Sequence, residues 1–242
     1  GGSVYEATCA GLSVTSGRVS FSLGLHGPCA AVDTACSAGL AAGHTGLRSV
    51  QLNECSTSLV AAVALNLMPR MGASFGVAGM TSPRGRCHTF DARADGYVRG
   101  EACGSFVLRD ASRSTQAAGS KMAMRGSVMR QDGRSASLTA PSGAAQKDLL
   151  IAAVADSGLV ADSMNLNEAH GTGTALGDPI EAGSLAMGVL AARSAAAMPF
   201  ALGGVKASIG HAEPAAGMTG LLKLSAGLYG CEAVANAQLR AL

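Results

Sequence analysis

The sequence predicts an α/β protein, and three observations carry that expectation. Short apolar runs bounded by Gly, Pro or charge alternate with longer segments of helical pattern. Small side chains dominate, with 33 glycines and only 3% aromatic residues, so helices and sheets must meet at close range. The residues able to do chemistry stand where a strand pattern gives way to a helical one, the place where α/β proteins hold ligands.

A first buried strand is expected at residues 30–34, followed by a helix from Cys36 to about Gln51. Strands at residues 58–65 and 103–108 come next, closed by Asn66 and Arg109. A small, polar surface loop is expected at residues 111–120 and a strand at residues 121–128. Residues 142–157 form a helix with an apolar pattern at Leu149, Leu150, Ala153 and Val154. A strand at residues 165–169 leads to Asp178-Pro179-Ile180-Glu181, where Asp caps, Pro takes the first helical position and an acid falls in the first turn. That helix runs to about Ala192. A strand at residues 200–204 and a buried Ala/Gly-rich helix at residues 214–228 complete the chain. No repeat interrupts it, and one domain accounts for it.

Composition excludes several classes. The chain is 48% hydrophobic and 14% charged, too apolar for disorder. Its longest stretch without Asp, Glu, Lys or Arg, residues 55–69, is shorter than the roughly 20 residues of a membrane span. A net charge of +2, no Lys/Arg block, no Trp and three Tyr leave no basic stripe with stacking aromatics, which excludes a nucleic-acid partner. Seven cysteines at positions 9, 29, 36, 55, 87, 103 and 231 show no CxxC pair, so neither a disulfide framework nor a metal site is expected. The reading is an intracellular, reducing compartment, cytoplasmic or organellar. There is no signal peptide and no initiator Met, and the end has no closing turn. The chain reads as a piece of a longer one.

Three segments are candidates for chemistry. In Val32-Asp33-Thr34-Ala35-Cys36-Ser37-Ala38-Gly39-Leu40 a thiol stands at a strand-to-helix junction. Helix N-termini present free N–H groups that favour a thiolate, although a buried structural thiol is the alternative. In Glu168-Ala169-His170-Gly171-Thr172-Gly173-Thr174-Ala175-Leu176-Gly177-Asp178 a histidine ends a strand and enters a Gly/Thr loop. Its glycine spacing departs from GxGxxG, which argues against a dinucleotide loop. In Lys206-Ala207-Ser208-Ile209-Gly210-His211-Ala212-Glu213 a lysine in apolar surroundings needs a partner, and Glu213 is the nearest candidate. Such a pair would hold His211 in place. One Cys and two His support thiol nucleophile chemistry, though the papain-type cysteine signature is absent.

These segments resemble the β-ketoacyl synthase family, in particular the ketosynthase domains of type I polyketide synthases. The resemblance rests on Asp33-Thr34-Ala35-Cys36-Ser37, on EAHGTGT at residues 168–174 with GDPIEA after it, and on KASIGH at residues 206–211. Supporting matches are residues 16–20, 90–92, 95–101 and 131–134, in the family's order. The resemblance implies a thiolase-like, layered α/β/α/β/α fold, incomplete at both ends. Residues 1–242 are then one ketosynthase domain fragment, with the nucleophile region at about 1–120 and most of the second half at about 121–242.

By the same resemblance Cys36 takes an acyl group from the phosphopantetheine arm of an acyl carrier protein. A malonyl-type extender then loses CO₂ and condenses with it. His170 and His211 are the hydrogen-bond donors to the reacting carbonyl, Lys206 and Glu213 support them, and Thr172 and Thr174 contact the pantetheine arm. No cofactor is bound, no metal is needed, and a homodimer is expected. The alternatives are a fatty-acid synthase ketosynthase and a non-elongating scaffold or chain-length subunit. A thiolase acting on free coenzyme A would need a different His/Cys arrangement. Departures from the family are Ala38-Gly39 for Ser-Ser, Arg130 for Asn, Ala207-Ser208 within KASIGH, and Pro214. The family's downstream Gly-Phe-Gly-Gly-Thr-Asn segment, which supplies half of the oxyanion hole, is not in the chain. Low activity of the isolated piece is therefore expected.

Overall fold

The computed structural model describes residues 3, 5–9, 11–111, 122–137 and 139–242. Helices α1 (Glu6–Cys9) and α2 (Leu12–Leu23) precede the segment that holds Cys36. A 3-10 turn at Ala35–Ser37 then opens helix α3 (Ala38–Gln51). Strand β1 (Thr57–Ala64) pairs antiparallel with β2 (Ala102–Arg109), Thr57 opposite Arg109 and Ala64 opposite Ala102. Helix α4 (Pro69–Val77) lies on their connection. Alternation along β1 turns Val60 and Ala64 inward. Helix α3 rests against β1, and an added Cβ at Gly46 would lie 2.9 Å from Val60 Cγ2.

The second unit is a parallel βαβ arrangement. Strands β3 (Leu166–Glu168) and β4 (Ala201–Gly203) pair with Glu168 opposite Gly203. Helix α6 (Gly177–Gly188) lies on the crossover that parallel strands require. Helix α5 (Gly143–Ser157), capped by Ser142 Oγ accepting from the Ala145 N–H, packs on α6. A short helix α7 (Lys206–Ile209) follows β4. Helix α8 (Ala216–Gly230) then touches α3, β2 and β3 and so joins the two units.

The core beside the site is built of small residues, as the composition suggests. Ala64, Ala212 and Ala215 are buried together, with Ala62 and Ala102 packed against them. Met218 of α8 is fully buried, a contribution of about 1.5–3 kcal/mol. Helices α3 and α8 approach through glycine. A Cβ at Gly39 would stand 3.0 Å from the Pro214 carbonyl oxygen, and one at Gly217 would stand 2.5 Å from Leu40 Cγ. The departures at Gly39 and Pro214 therefore meet, where α3 approaches the 3-10 turn Glu213–Ala215 that leads into α8.

Residues 58–65, 103–108, 165–169 and 200–204 are strands as expected, within one residue at each end. Residues 30–34 and 122–128 are not, because no described segment offers them a ladder partner. The first of these is mostly exposed rather than buried. Lys121 and residues 112–120 of the expected loop lie outside the described residues. The helix from Asp178 begins one residue earlier, ends at Gly188 and continues as a 3-10 turn at Leu190–Ala192. Helix α8 is buried only in its first half, at Ala216, Met218 and Gly220, while Leu222 and Leu228 are exposed. No helix of the described residues is long and apolar enough to cross a membrane. The cysteines at 29, 36, 55, 87, 103 and 231 are free thiols.

Candidate active site

Parallel pairing sets the site's position. Because Glu168 lies opposite Gly203, the chain leaves β3 and β4 at the same sheet edge. His170 follows two residues after β3, and Lys206 three after β4. Glu168 ties the two exits together. Its carboxylate accepts the Val205 N–H at 2.5 Å and the Lys223 ammonium at 2.6 Å.

Helix α6 shapes the His170 loop with two carboxylates three residues apart, hence on one helix face. Glu181 accepts the N–H groups of His170 at 2.6 Å and Gly171 at 2.8 Å. Asp178 accepts those of Gly173 at 3.1 Å, Thr174 at 3.3 Å and Phe90 at 2.8 Å. Asp178 is therefore not the helix cap that the Asp-Pro pattern suggests; it is a buried brace for the preceding loop. Burial raises the pKa of both acids, and their N–H bonds act in the opposite sense. From the other side, Thr89 is completely buried and donates to the Gly171 carbonyl at 2.7 Å. Thr172 and Thr174 lie in this loop. Their hydroxyls are 3.4 Å apart, and Thr174 Oγ1 accepts the Gly177 N–H.

Lys206 is only 3% exposed. Its ammonium donates to the His170 carbonyl at 2.5 Å. Burial lowers its pKa, opposed first by the charge of Glu181. The expected pair between Lys206 and Glu213 does not form. Helix α7 and Gly210, at φ 79°, carry the chain away from Lys206 before Glu213 is reached. Glu213 instead binds Arg99 through both oxygens, Nε to Oε1 at 2.6 Å and Nη2 to Oε2 at 3.0 Å.

His211 is 4% exposed and strapped to the segment around Arg99. Its N–H donates to the Val98 carbonyl at 2.7 Å, and its carbonyl accepts from the Gly100 N–H at 2.9 Å. The Glu213 N–H donates to His211 Nδ1 at 3.0 Å. A backbone N–H can only donate, so Nδ1 is the acceptor and the ring proton of the neutral imidazole sits on Nε2. Burial, then Lys206, then His170 push the His211 pKa down to about 3. For His170, desolvation and then Lys206 push it down to about 4, although the residue as a whole is exposed by surface area. Both imidazoles are neutral at pH 7. The two rings stand edge to face at 5.6 Å, with the Tyr97 ring 5.0 Å from that of His211.

Cys36 sits half-buried in the 3-10 turn ahead of α3. The turn is sharp: Ala35 takes φ 53°, a conformation uncommon for a residue with a Cβ. Asp33 Oδ1 accepts the Ala35 N–H at 3.0 Å, and Ser37 Oγ donates to the Thr34 carbonyl at 2.8 Å. This turn brings Cys36 Sγ together with one ring nitrogen each of His170 and His211, all within 4.8 Å of one another. One thiol and two imidazoles are also a donor set that zinc accepts. The His211 tautomer opposes that use. A ligating nitrogen needs a free lone pair, and Nε2 carries the proton.

The structure thus brings Cys36, His170, His211 and Lys206 to one place, with Thr172 and Thr174 in the same loop. Glu213 reaches the site through its backbone N–H rather than its carboxylate. Sequence reasoning missed Glu181 and Asp178 as braces, Thr89 as a strut and Arg99 as the partner of Glu213. The three-residue spacing of Asp178 and Glu181, directly after a Gly/Thr loop, was the available signal for the first two. Nothing local marks Thr89, and Arg99 is marked only as part of the supporting match at residues 95–101, with no partner assigned.

Residues 2–114 match the β-ketoacyl synthase N-terminal domain, and residues 122–238 match the β-ketoacyl synthase C-terminal domain. The chain belongs to the β-ketoacyl synthase family. It is 44% identical over 220 residues to one protein of the phenolphthiocerol/phthiocerol polyketide synthase of Mycobacterium tuberculosis, covering 90% of this chain and 14% of that protein. It is 44% identical over 208 residues to a second protein of the same synthase, covering 86% of this chain and 11% of that one. The chain therefore spans a small part of the curated relatives it matches. Among solved structures, the oxazolomycin ketosynthase domain of Streptomyces albus JA3453 superposes with a TM-score of 0.91 at 30% identity, covering 99% of this chain and 42% of that one. The module 6 ketosynthase of the bacillaene synthase of Bacillus subtilis 168 gives 0.86 at 33%, covering 96% and 41%.

Proposed function

We propose that this chain carries the condensing chemistry of a polyketide ketosynthase. The observation that carries the reading is the meeting of Cys36 Sγ with His170 and His211, both neutral at pH 7, within 4.8 Å. Cys36 attacks the carbonyl of an acyl thioester on the phosphopantetheine of an acyl carrier protein. The pantetheine thiolate leaves and takes a proton, and the acyl group stays on sulfur. A malonyl-type extender on a carrier protein then loses CO₂. The electron pair of the broken C–C bond passes into an enolate. His211 Nε2–H and His170 donate to the enolate oxygen and stabilise the charge as it develops. The enolate carbon attacks the Cys36 thioester, the sulfur leaves as thiolate, and a β-ketoacyl chain remains on the carrier.

The supporting residues act through those three. Lys206 orients the His170 loop through the His170 carbonyl. Glu213 acts on His211 through its N–H. Thr172 and Thr174 are read as contacts of the pantetheine arm, and the Cys36 N–H as one oxyanion donor. The structural likeness supports a thiolase-like α/β/α/β/α layering, with the nucleophile in the first half of the domain and both histidines in the second. A homodimer is the assembly this reading carries. The named relatives favour polyketide over fatty-acid synthesis, and Cys36 argues against a non-elongating scaffold.

The test uses intact-mass measurement of the protein with an acyl-carrier thioester, followed by product analysis after adding malonyl-carrier protein. Acyl loading that survives Cys29→Ala and vanishes in Cys36→Ala is the expected result. Equal behaviour of wild type and Cys36→Ala would overturn the reading in favour of scaffolding. Preference for coenzyme A thioesters over carrier-bound ones would move it towards a thiolase.

A further inference from the structure

The residue that orients His211 is itself held in an unfavourable conformation. Glu213 has φ 41°, in the left-handed region that side chains other than glycine rarely adopt. It also precedes Pro214, whose ring crowds the backbone of the residue before it and favours extended conformations there. Such a geometry persists only where the surroundings over-determine it. Its consequence is specific, because it aims the Glu213 N–H at His211 Nδ1.

Arg99 supplies the constraint from two directions. Its guanidinium binds both carboxylate oxygens of Glu213 in the fork geometry that fixes orientation as well as distance. The pair is shielded, with side-chain exposures of 16% for Arg99 and 24% for Glu213. The guanidinium also lies over the Phe75 ring at 5.4 Å from its centre. At the backbone, Arg99 stands opposite His211 in an isolated parallel bridge. One residue therefore straps the histidine and clamps the neighbour that chooses its tautomer.

We propose that the Arg99–Glu213 ion pair is a positioning device that holds Glu213 left-handed and so keeps His211 as its Nε2–H tautomer. The proposal deepens the ketosynthase reading and rests on it only for its catalytic consequence. Without the pair, Glu213 relaxes, its N–H leaves Nδ1, and the ring is free to carry its proton on either nitrogen. A proton on Nδ1 would leave Nε2 unable to donate.

The experiment is two-bond proton–nitrogen correlation on the protein labelled with ¹⁵N-histidine at pH 7, comparing wild type with Arg99→Lys, Arg99→Gln and Glu213→Gln. Wild type is expected to show the pure Nε2–H pattern for His211. The variants are expected to show mixed tautomers, with Arg99→Lys keeping the charge but not the fork and falling between. An unchanged Nε2–H pattern in all three would overturn the proposal. His44, bonded through Nδ1 to Ser127 in another part of the fold, reports whether a variant is folded. If Arg99→Gln fails that check, Arg99→Lys decides. In the catalytic arm, malonyl decarboxylation should fall about tenfold in kcat in Glu213→Gln, a partial loss of one aimed donor, and by more than Cys36 loading falls. Absence of loading and decarboxylation in wild type would remove the ketosynthase reading while the spectra still decide the tautomer.

Discussion

The ammonium of Lys206 donates to the carbonyl oxygen of His170 at 2.5 Å, linking the loop after β4 to the loop after β3. Lys206 thus reaches the Cys36–His170–His211 cluster through a histidine's backbone. Replacing it by Ala removes a charged hydrogen bond of about 1.5–3 kcal/mol. Decarboxylation should fall by roughly tenfold to a hundredfold. Loading of Cys36, followed by intact mass, should change much less. Equal loss of both would show that Lys206 serves the fold as a whole.

The pH response follows from the two histidines. Their pKa values are lowered to about 4 and about 3 from 6.5. The neutral, donating forms persist well below pH 6, so decarboxylation should stay level from pH 7 to about 5 as far as these groups control it. Stability behaves differently. Between the unfolded value of 6.5 and the folded values, the unfolded chain binds more protons, so stability is full above 6.5 and is lost as pH falls. Urea midpoints measured from pH 8 to 5 should decline below about 6.5. Midpoints that rise on acidification would contradict the assigned burial.

Gly204 lies against a buried methyl group. A Cβ there would stand 2.7 Å from Thr89 Cγ2, and Thr89 is completely buried. Gly204→Ala should destabilise by about 1–3 kcal/mol through overpacking. Adding Thr89→Ser removes the clashing methyl but keeps the hydroxyl bond to Gly171. The double variant should recover about half the loss, a coupling that a double-mutant cycle in urea will show.

Asp178→Ala leaves the N–H groups of Phe90, Gly173 and Thr174 without their carboxylate. At about 1–3 kcal/mol for each buried group left unsatisfied, a loss of roughly 3 kcal/mol or more is expected. The urea midpoint should drop with an unchanged slope. A loss under about 0.5 kcal/mol would mean that the loop does not depend on this brace.

Much of the site was legible because local chemistry announces it. Cys36, His170 and His211 each fall at a junction that glycine, proline and short apolar runs mark along the chain. The strands that became β1 to β4 and the helices that became α5 and α6 were readable for the same reason, but not which strand pairs with which. The misreadings share a cause. Residues 30–34 have a strand's composition, but pairing needs a neighbour, which no local pattern supplies. Asp178 has a cap's position, but its carboxylate is taken by the loop packed beside it.

What the sequence by itself determined was the family and the candidate site residues Cys36, His170 and His211, because these depend on residue type and on spacing along one covalent chain. Only the tertiary structure decided which charges meet. Lys206 and Glu213 are seven positions apart and do not pair. Arg99 and Glu213 are 114 positions apart and do. A turn of helix and a left-handed glycine separate the first two, while the strap between Arg99 and His211 delivers the second two to the same point. The tautomer of His211 follows from that meeting.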